Sequence, residues 1–566
     1  MVQNHIRRAA LARDEEALAR CRDGLTDVMR YVDADPAKLP KSRDGWWRDG
    51  SFVQHGKLPY VGAYGVLLIP DLIQCMSWLE RTPWEYQADE RRNIRDWVDL
   101  HLLPVAYEGE LFPRTTGRTA GSVGVETANQ WLAIALAQMR PLLEPAQADA
   151  VTARLRRWID AGSFDPSFSR ADFATFLALH AIATDSSIRP APPYVASRTH
   201  AAVDLAMHHR PTWAATVAMS STRTASHEAL WGANYRGWNQ GEGVLMVYPS
   251  DPLRYRGGFW ALVDPYRLPG ITTNTWELPD HDGGGGSPGR PSSQDFVGGA
   301  SVDDLASVAV MRIGCEGSSL QGNKAWFFLP DAIVCLGCGI SADEDRPAET
   351  IVKSARLERD DLAVSIDGRA TPAGEWQERL ENVRSIHLAG TRSERAIGWW
   401  FPRPAQLLAE RSTRQGSWRN ADKKGSEAPL SQPWLTLIWP HGSAPKNADY
   451  QYVILPGIDA SALAAFAGSP TIEILANTPD LQAIHDSAHG ITAAIFPQAG
   501  HDRPDHRGPA VYRPAPPARS RRQPGCGGPD TDAGADHRDA QRAVGRAHTA
   551  RSGDQGASHR SPAPGD

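Results

Sequence analysis

Apolar residues Ile6, Leu11, Leu18, Cys21, Leu25, Val28 and Met29 recur at helical intervals with charged residues between them, which predicts an amphipathic helix over residues 5–32. The same periodicity predicts helices at about 64–80, 89–103, 125–141, 145–161 and 171–183, with Gly/Pro-rich loops between them. The first third of the chain therefore reads as helix hairpins. The pattern changes around Ile188–Tyr194, where Pro190, Pro192 and Pro193 cannot continue a helix and favour an extended linker. Beyond it, short apolar runs alternate with turn clusters: Trp213–Met219, Val244–Tyr248, Leu305–Met311, Ala325–Leu329, Ile333–Gly337, Trp434–Trp439 and Tyr450–Leu455. That spacing predicts a large antiparallel β-sandwich, so the chain is α+β and multidomain. The expected division is a helical domain over 1–187, a linker over 188–200, a sandwich over 201–460, the start of a small β-domain over 461–495, and a tail over 496–566. In that tail apolar periodicity vanishes and lysine is absent, so it is expected not to fold; a shifted reading frame would produce such a composition.

Composition narrows the function classes. A net charge of −6 and a pI near 6.3 give no global basic field, so neither nucleic acid nor an anionic membrane is an expected partner. Cysteines at 21, 75, 315, 335, 338 and 526 have neither disulfide-scaffold nor zinc-site spacing. Cys335 and Cys338 form a C-x-x-C, but inside the apolar run Ala332–Ile340, which reads as a buried strand. No uninterrupted apolar run predicts a membrane-spanning helix, and the N-terminus enters a helical pattern directly, without a cleavable signal sequence.

The chemistry concentrates in Asp49–Gly65, which holds His55, Lys57, Tyr60 and Tyr64 among four glycines, next to Trp46 and Trp47. Glycine at that density lets a loop turn closely and present polar side chains. An imidazole can act as a base near neutrality and a phenol can give or take a proton, which makes His55 and Tyr64 the candidate pair.

Gln54-His-Gly56, then Pro59-Tyr-Val-Gly-Ala-Tyr-Gly65, resembles the catalytic segment of polysaccharide lyase family 8, the hyaluronate, chondroitin AC and xanthan lyases. Met207–Pro211, Pro269–Thr273, Phe296–Gly299, Lys324–Phe328, Leu336–Ile340, His441–Pro445 and Tyr450–Gly457 extend the likeness in the family's order, from about residue 4 to about 495. The resemblance implies an incomplete α/α toroid followed by a large antiparallel β-supersandwich, and β-elimination on uronate-containing glycans without metal or organic cofactor. It implies an anionic polysaccharide as partner, a monomer, and action outside the cell. It also implies that helices upstream of residue 1, with an aromatic binding patch and an export signal, are missing, so the chain reads as N-terminally truncated.

By the same resemblance His55 and Tyr64 carry the proton transfers, Asn4 neutralises the uronate carboxylate, Arg118 meets the anionic sugar, and Glu228 orients an arginine or tyrosine. Which of His55 and Tyr64 takes the proton stays open. Arg114, Trp46, Trp47, Tyr60, Asn234 and Trp231 are the candidate glycan contacts: guanidinium groups bind anions, and rings stack on sugar faces. Glu228 could alternatively form a surface ion pair with Arg223. Three departures affect the substrate more than the reaction: Ser122 stands where the family has a second arginine, Trp231 where it often has asparagine, and Gly232-Ala-Asn234 replaces Gly-Glu-Asn. Xanthan lyase, a non-catalytic polysaccharide-binding protein and, less well supported, a glycoside hydrolase are the alternatives.

Overall fold

In the computed structural model, which describes residues 2–33, 43–164, 171–274, 277–281, 289, 292–314, 317–392, 395–497 and 508–512, a helical layer is followed by an extensive antiparallel β-region. The α-helices of that layer are α1 (Val2–Ala12), α2 (Glu15–Met29), α3 (Val66–Leu79), α4 (Ala88–Trp97), α5 (Ala128–Met139), α6 (Pro145–Asp160) and α7 (Phe173–Thr184). The single helix expected over 5–32 is two, because Arg13 takes a left-handed φ of 54° and Asp14 caps α2 by accepting the Ala17 N–H at 2.9 Å. Cys315, Cys526 and most of the tail lie outside the described residues.

Helix α3 begins just after the Tyr64 loop and contains Pro70. An interior proline costs roughly 3 kcal/mol. Burial of Val66, Ile69, Leu72, Met76 and Leu79, at roughly 1.5–3 kcal/mol for each large apolar side chain, outweighs it. The segment Val61–Leu79 is long and apolar enough to cross a membrane by length and composition, but here those side chains belong to the core of the helical layer.

A four-stranded meander (Ala196–His200, Leu205–Arg210, Trp213–Ala218, Val244–Tyr248) joins the two regions. Successive strand residues face opposite sides. Leu205, Met207, Ala214, Val244, Met246 and Tyr248 pack into the helical core, while Ala206, Ala215, Val217, Leu245 and Val247 pack into the core of the large sheet. His208 and His209 show the same alternation: His208 Nε2 bonds the Leu329 carbonyl at 3.0 Å and His209 Nε2 the Pro104 carbonyl at 2.8 Å. The meander is thus buried on both faces, which ties the helices to the sandwich. The linker read as 188–200 accordingly ends sooner, since Ala196–His200 is already a strand of this meander.

The large sheet has twelve strands. Its main path runs Thr272–Asn274, Pro347–Arg356, Leu430–Ser443, Ile397–Gly416, Ala448–Pro456, Ile333–Ser341, Gln321–Phe328, Ala306–Gly314 and Val297–Val302, each pair antiparallel. Cys335 and Cys338 lie in the strand Ile333–Ser341 as free thiols pushed up to about 12 by burial, so the C-x-x-C is strand interior. A last four-stranded sheet comprises Ile472–Asn477, Gln482–Asp486, Ile491–Phe496 and Gly508–Tyr512. Its final strand pairs with Ile491–Phe496 and falls within the stretch that composition alone marked as unable to fold, which corrects that reading for 508–512.

Candidate active site

The loop after the short strand Phe52–Gln54 is held from behind. Asp44 Oδ1 accepts the Gly56 N–H at 2.6 Å, and Asp44 Oδ2 accepts from the Gln54 amide at 3.3 Å. His55 sits at a left-handed φ of 54° and Gly56 at 74°, a conformation that turns the imidazole out of the strand and that a histidine adopts only under constraint. Asp44 belongs to no motif, and its part in the site comes from the fold bringing it under this loop.

His55 Nδ1 donates to Glu228 Oε1 at 2.5 Å, and the other oxygen of that carboxylate accepts from the Tyr60 hydroxyl. Arg118 Nη1 donates to both Glu228 Oε2 and Tyr60 Oη at 3.0 Å, while its backbone N–H reaches Tyr60 Oη at 3.1 Å. Arg118 Nη2 donates to Tyr64 Oη at 3.4 Å, and the guanidinium lies 5.9 Å from the Tyr64 ring centroid. The Tyr64 ring meets those of Tyr60 and His55 edge-on at 4.9 and 5.3 Å. His55, Tyr60, Tyr64, Arg118 and Glu228 therefore form one hydrogen-bonded and ring-packed cluster, with the first four from the helical region and Glu228 from the β-region. Gly117, at φ 56°, makes the approach possible, since a Cβ there would lie 1.9 Å from Tyr60 Cζ.

The electrostatics fix protonation states. Burial, then the charge of Glu228 and the hydrogen bond to it, push the Tyr60 phenol well above its ordinary value, so it stays a donor to the carboxylate. Burial works against the charge of Arg118, but its bond to Tyr64, the neighbouring Tyr60, and the bond and charge of Glu228 outweigh that and hold it above the usual arginine value. A buried carboxylate is tolerable only with such partners. Glu228 thus braces His55 as well as the arginine and Tyr60. Arg223, its expected ion-pair alternative, instead pairs with Asp204 at 2.5 Å.

Several residues expected to touch glycan are buried. Trp46 has no exposed surface and stacks on Trp97 at 4.0 Å within the helical core. Trp47 is half-buried, with its indole N–H on the Arg43 carbonyl at 3.0 Å and the Arg43 guanidinium 5.1 Å from its ring. Tyr60 is 1% exposed and its hydroxyl is fully engaged inside the cluster. Arg114 is buried and donates to the carbonyls of Ser226, at 2.7 Å, and Ala225. Asn234 is buried and its amide is spent on the Glu228 carbonyl at 2.9 Å and on Gln240 at 2.8 Å. Trp46, Tyr60, Arg114 and Asn234 therefore support the site from within. Residue type suggested a ligand contact, and burial, which sequence does not display, decides otherwise.

Trp231 is the opposite case. It is 69% exposed at the tip of a turn closed by Leu230 and Ala233, at a left-handed φ of 52°. Asn4 is exposed on α1, and among the described residues no hydrogen bond joins it to the cluster. Ser122 is half-buried and receives the Gly124 N–H at 3.3 Å. Among the described residues no group of three or more His, Cys, Asp or Glu side chains could hold a metal ion.

Residues 1–161 match the polysaccharide lyase family 8 N-terminal alpha-helical domain, 195–467 its super-sandwich domain and 473–506 its C-terminal beta-sandwich domain. A hyaluronate lyase of Thermasporomyces composti is 32% identical over 501 residues, covering 86% of this chain and 62% of the relative. The Streptomyces coelicolor A3 chondroitin AC lyase, solved in complex with chondroitin sulphate, superposes with a TM-score of 0.74 at 31% identity, over 87% of this chain and 64% of that one. A Paenibacillus xanthan lyase gives a TM-score of 0.81 at 27% identity, over 88% of this chain and 47% of that one. The chain thus spans about half to just under two thirds of the length of these relatives.

Proposed function

The chain belongs to polysaccharide lyase family 8, and from that premise we propose that it cleaves an anionic, uronate-containing glycan of the hyaluronan or chondroitin type by β-elimination, outside the cell. The observation that carries this reading is the His55–Glu228 bond. With Nδ1–H donated to the carboxylate, the neutral imidazole carries its lone pair on Nε2, and 31% of the side chain is exposed.

In the proposed reaction Asn4 hydrogen-bonds the uronate carboxylate, which lowers the cost of building charge at C5. His55 Nε2 takes the C5 proton, the C4–O4 bond breaks as the C4=C5 double bond forms, and Tyr64 gives its proton to the departing glycosidic oxygen. The phenolate left on Tyr64 lies against Arg118, which stabilises that charge without rearrangement. The products are a chain with a new hydroxyl end and a 4,5-unsaturated uronyl end. Trp231 is the proposed stacking surface for a neighbouring sugar.

Hydrolysis is disfavoured by the same geometry. Glycosidases use two carboxyl groups across a cleft, whereas Glu228 is the one carboxylate in this hydrogen-bonded cluster among the described residues and has no exposed side-chain surface.

The contact between Arg118 and Tyr64 favours a second reading, in which Tyr64 both removes and returns the proton. The test is to incubate wild type and Tyr64→Phe with hyaluronan, chondroitin sulfate and xanthan, following ultraviolet absorbance of the unsaturated uronate and C5 hydrogen exchange in deuterated water. Wild type is expected to generate absorbance on at least one glycan, and Tyr64→Phe to lose about 1,000-fold in rate. Retained C5 exchange in the variant supports His55 as base, and its loss supports Tyr64 in both roles. No absorbance from folded wild type on any of the three contradicts the lyase reading.

A further inference from the structure

We propose that Arg114 is a positioning residue, a buried clamp that fixes the backbone carrying Glu228 against the helical region and so sets the geometry of the catalytic cluster. The proposal rests on the lyase reading for its kinetic consequence, though not for its structural one.

Arg114 and Arg118 lie on either side of the kink at Gly117, in two short helical turns within Pro113–Gly121, and reach the same stretch of β-region by different routes. Arg118 grips the Glu228 side chain. Arg114 grips the backbone before it, through the carbonyls of Ala225 and Ser226. A third bond comes from the catalytic loop itself, as the Ala225 N–H donates to the Lys57 carbonyl at 2.9 Å, two residues beyond His55. The Glu228 carbonyl is taken by Asn234. Gly241 backs the segment so closely that a Cβ there would lie 2.8 Å from Ser226 Cα and 3.2 Å from Arg114 Nη2.

What distinguishes this arginine from ordinary packing is its cost. Burial pushes Arg114 down to about 10, against the pull of Asp204, Glu242 and Tyr60, so it remains charged at neutral pH. Among the described residues no carboxylate pairs with it at ion-pair distance, and its Nε has no partner. An apolar side chain of similar volume would hold two domains together without that desolvation penalty. The rigid guanidinium fork can instead fix two successive carbonyls at once, and any slack there passes directly to the Glu228 carboxylate, three residues from Ala225.

The test compares Arg114→Met and Arg114→Lys with wild type by amide hydrogen exchange and by elimination kinetics, and repeats Arg114→Met in a Glu228→Gln background. A clamp predicts faster exchange confined to residues 225–230. It also predicts about a 100-fold loss of kcat in Arg114→Met with KM within about twofold, partial recovery in Arg114→Lys, and a loss below about threefold when Glu228 is already Gln. A raised KM at unchanged kcat would assign Arg114 to substrate, and an undiminished loss in the Glu228→Gln background would make it merely structural; either overturns the proposal. If Arg114→Met does not fold, Arg114→Lys carries both measurements. If wild type eliminates nothing, the lyase reading fails separately, and unchanged exchange at 225–230 in Arg114→Lys would still overturn the clamp.

Discussion

His55, Tyr64 and Arg118 come from a turn and short helical segments of the helical region and keep part of their surface open, with 31% of the His55 and 23% of the Arg118 side chain exposed. Glu228 comes from the β-region and exposes none of its side chain. The difference follows from what each would do in the proposed reaction. Groups that pass protons need access to a substrate, while the group that fixes their tautomer and orientation needs a dry, over-determined setting where each bond is strong. The half of the site open to solvent is therefore built on glycine-rich turns and short helical segments, and the reference half on a segment whose backbone is bonded on both edges.

The change expected to break this comparison most severely is Glu228→Gln. It replaces an anion shared by His55, Tyr60 and Arg118 with a neutral amide, so kcat is expected to fall about 100-fold or more, measured by steady-state absorbance, with substrate binding largely retained. An unchanged kcat would show that the carboxylate is not the reference for the site.

Acid tests how dry the interdomain seam behind the site is, through the histidines buried there. Burial holds His200 and His209 down to about 4, and pushes His101 and His208 well below the ordinary histidine value. In the unfolded chain such groups bind protons below about 6.5. The unfolded state thus takes up more protons than the native state between about 6.5 and 4, and stability falls as pH drops through that window. Chemical-denaturation midpoints are expected to decline there by an amount equivalent to at least about 1 kcal/mol. A flat profile would mean that the seam is not dry.

The smallest expected effect is at Trp231. Its left-handed backbone suits glycine, so Trp231→Gly is expected to stabilise the fold by about 0.5 kcal/mol in thermal unfolding while raising KM for glycan about threefold. A gain in stability with unchanged KM would remove Trp231 from the binding surface.

Much of the fold was legible because periodicity reports it directly, both in the helices of the first third and in the short strands after the proline-rich linker. The break between α1 and α2 was also readable in principle, since Asp14 followed by Glu15 and Glu16 is a helix-start pattern. The order of the large sheet was not, because Ile397–Gly416 pairs not only with its chain neighbours Trp376–Leu388 and Leu430–Ser443 but also with Ala448–Pro456, a pairing that skips a strand and leaves no local trace. Within the site, His55, Tyr64 and Arg118 could be chosen from their motif and residue chemistry. Trp46, Tyr60, Arg114 and Asn234 could not be assigned correctly, because a polar or aromatic residue near a catalytic loop looks the same in sequence whether it faces the ligand or supports the residue that does.

The most direct test of the account is the mass spectrum of the product that wild type forms from a uronate-containing glycan. β-Elimination at this site predicts fragments whose new non-reducing ends are lighter by one water than hydrolysis would leave, with a conjugated double bond. Fragments that have gained water, in the absence of any unsaturated end, would contradict it.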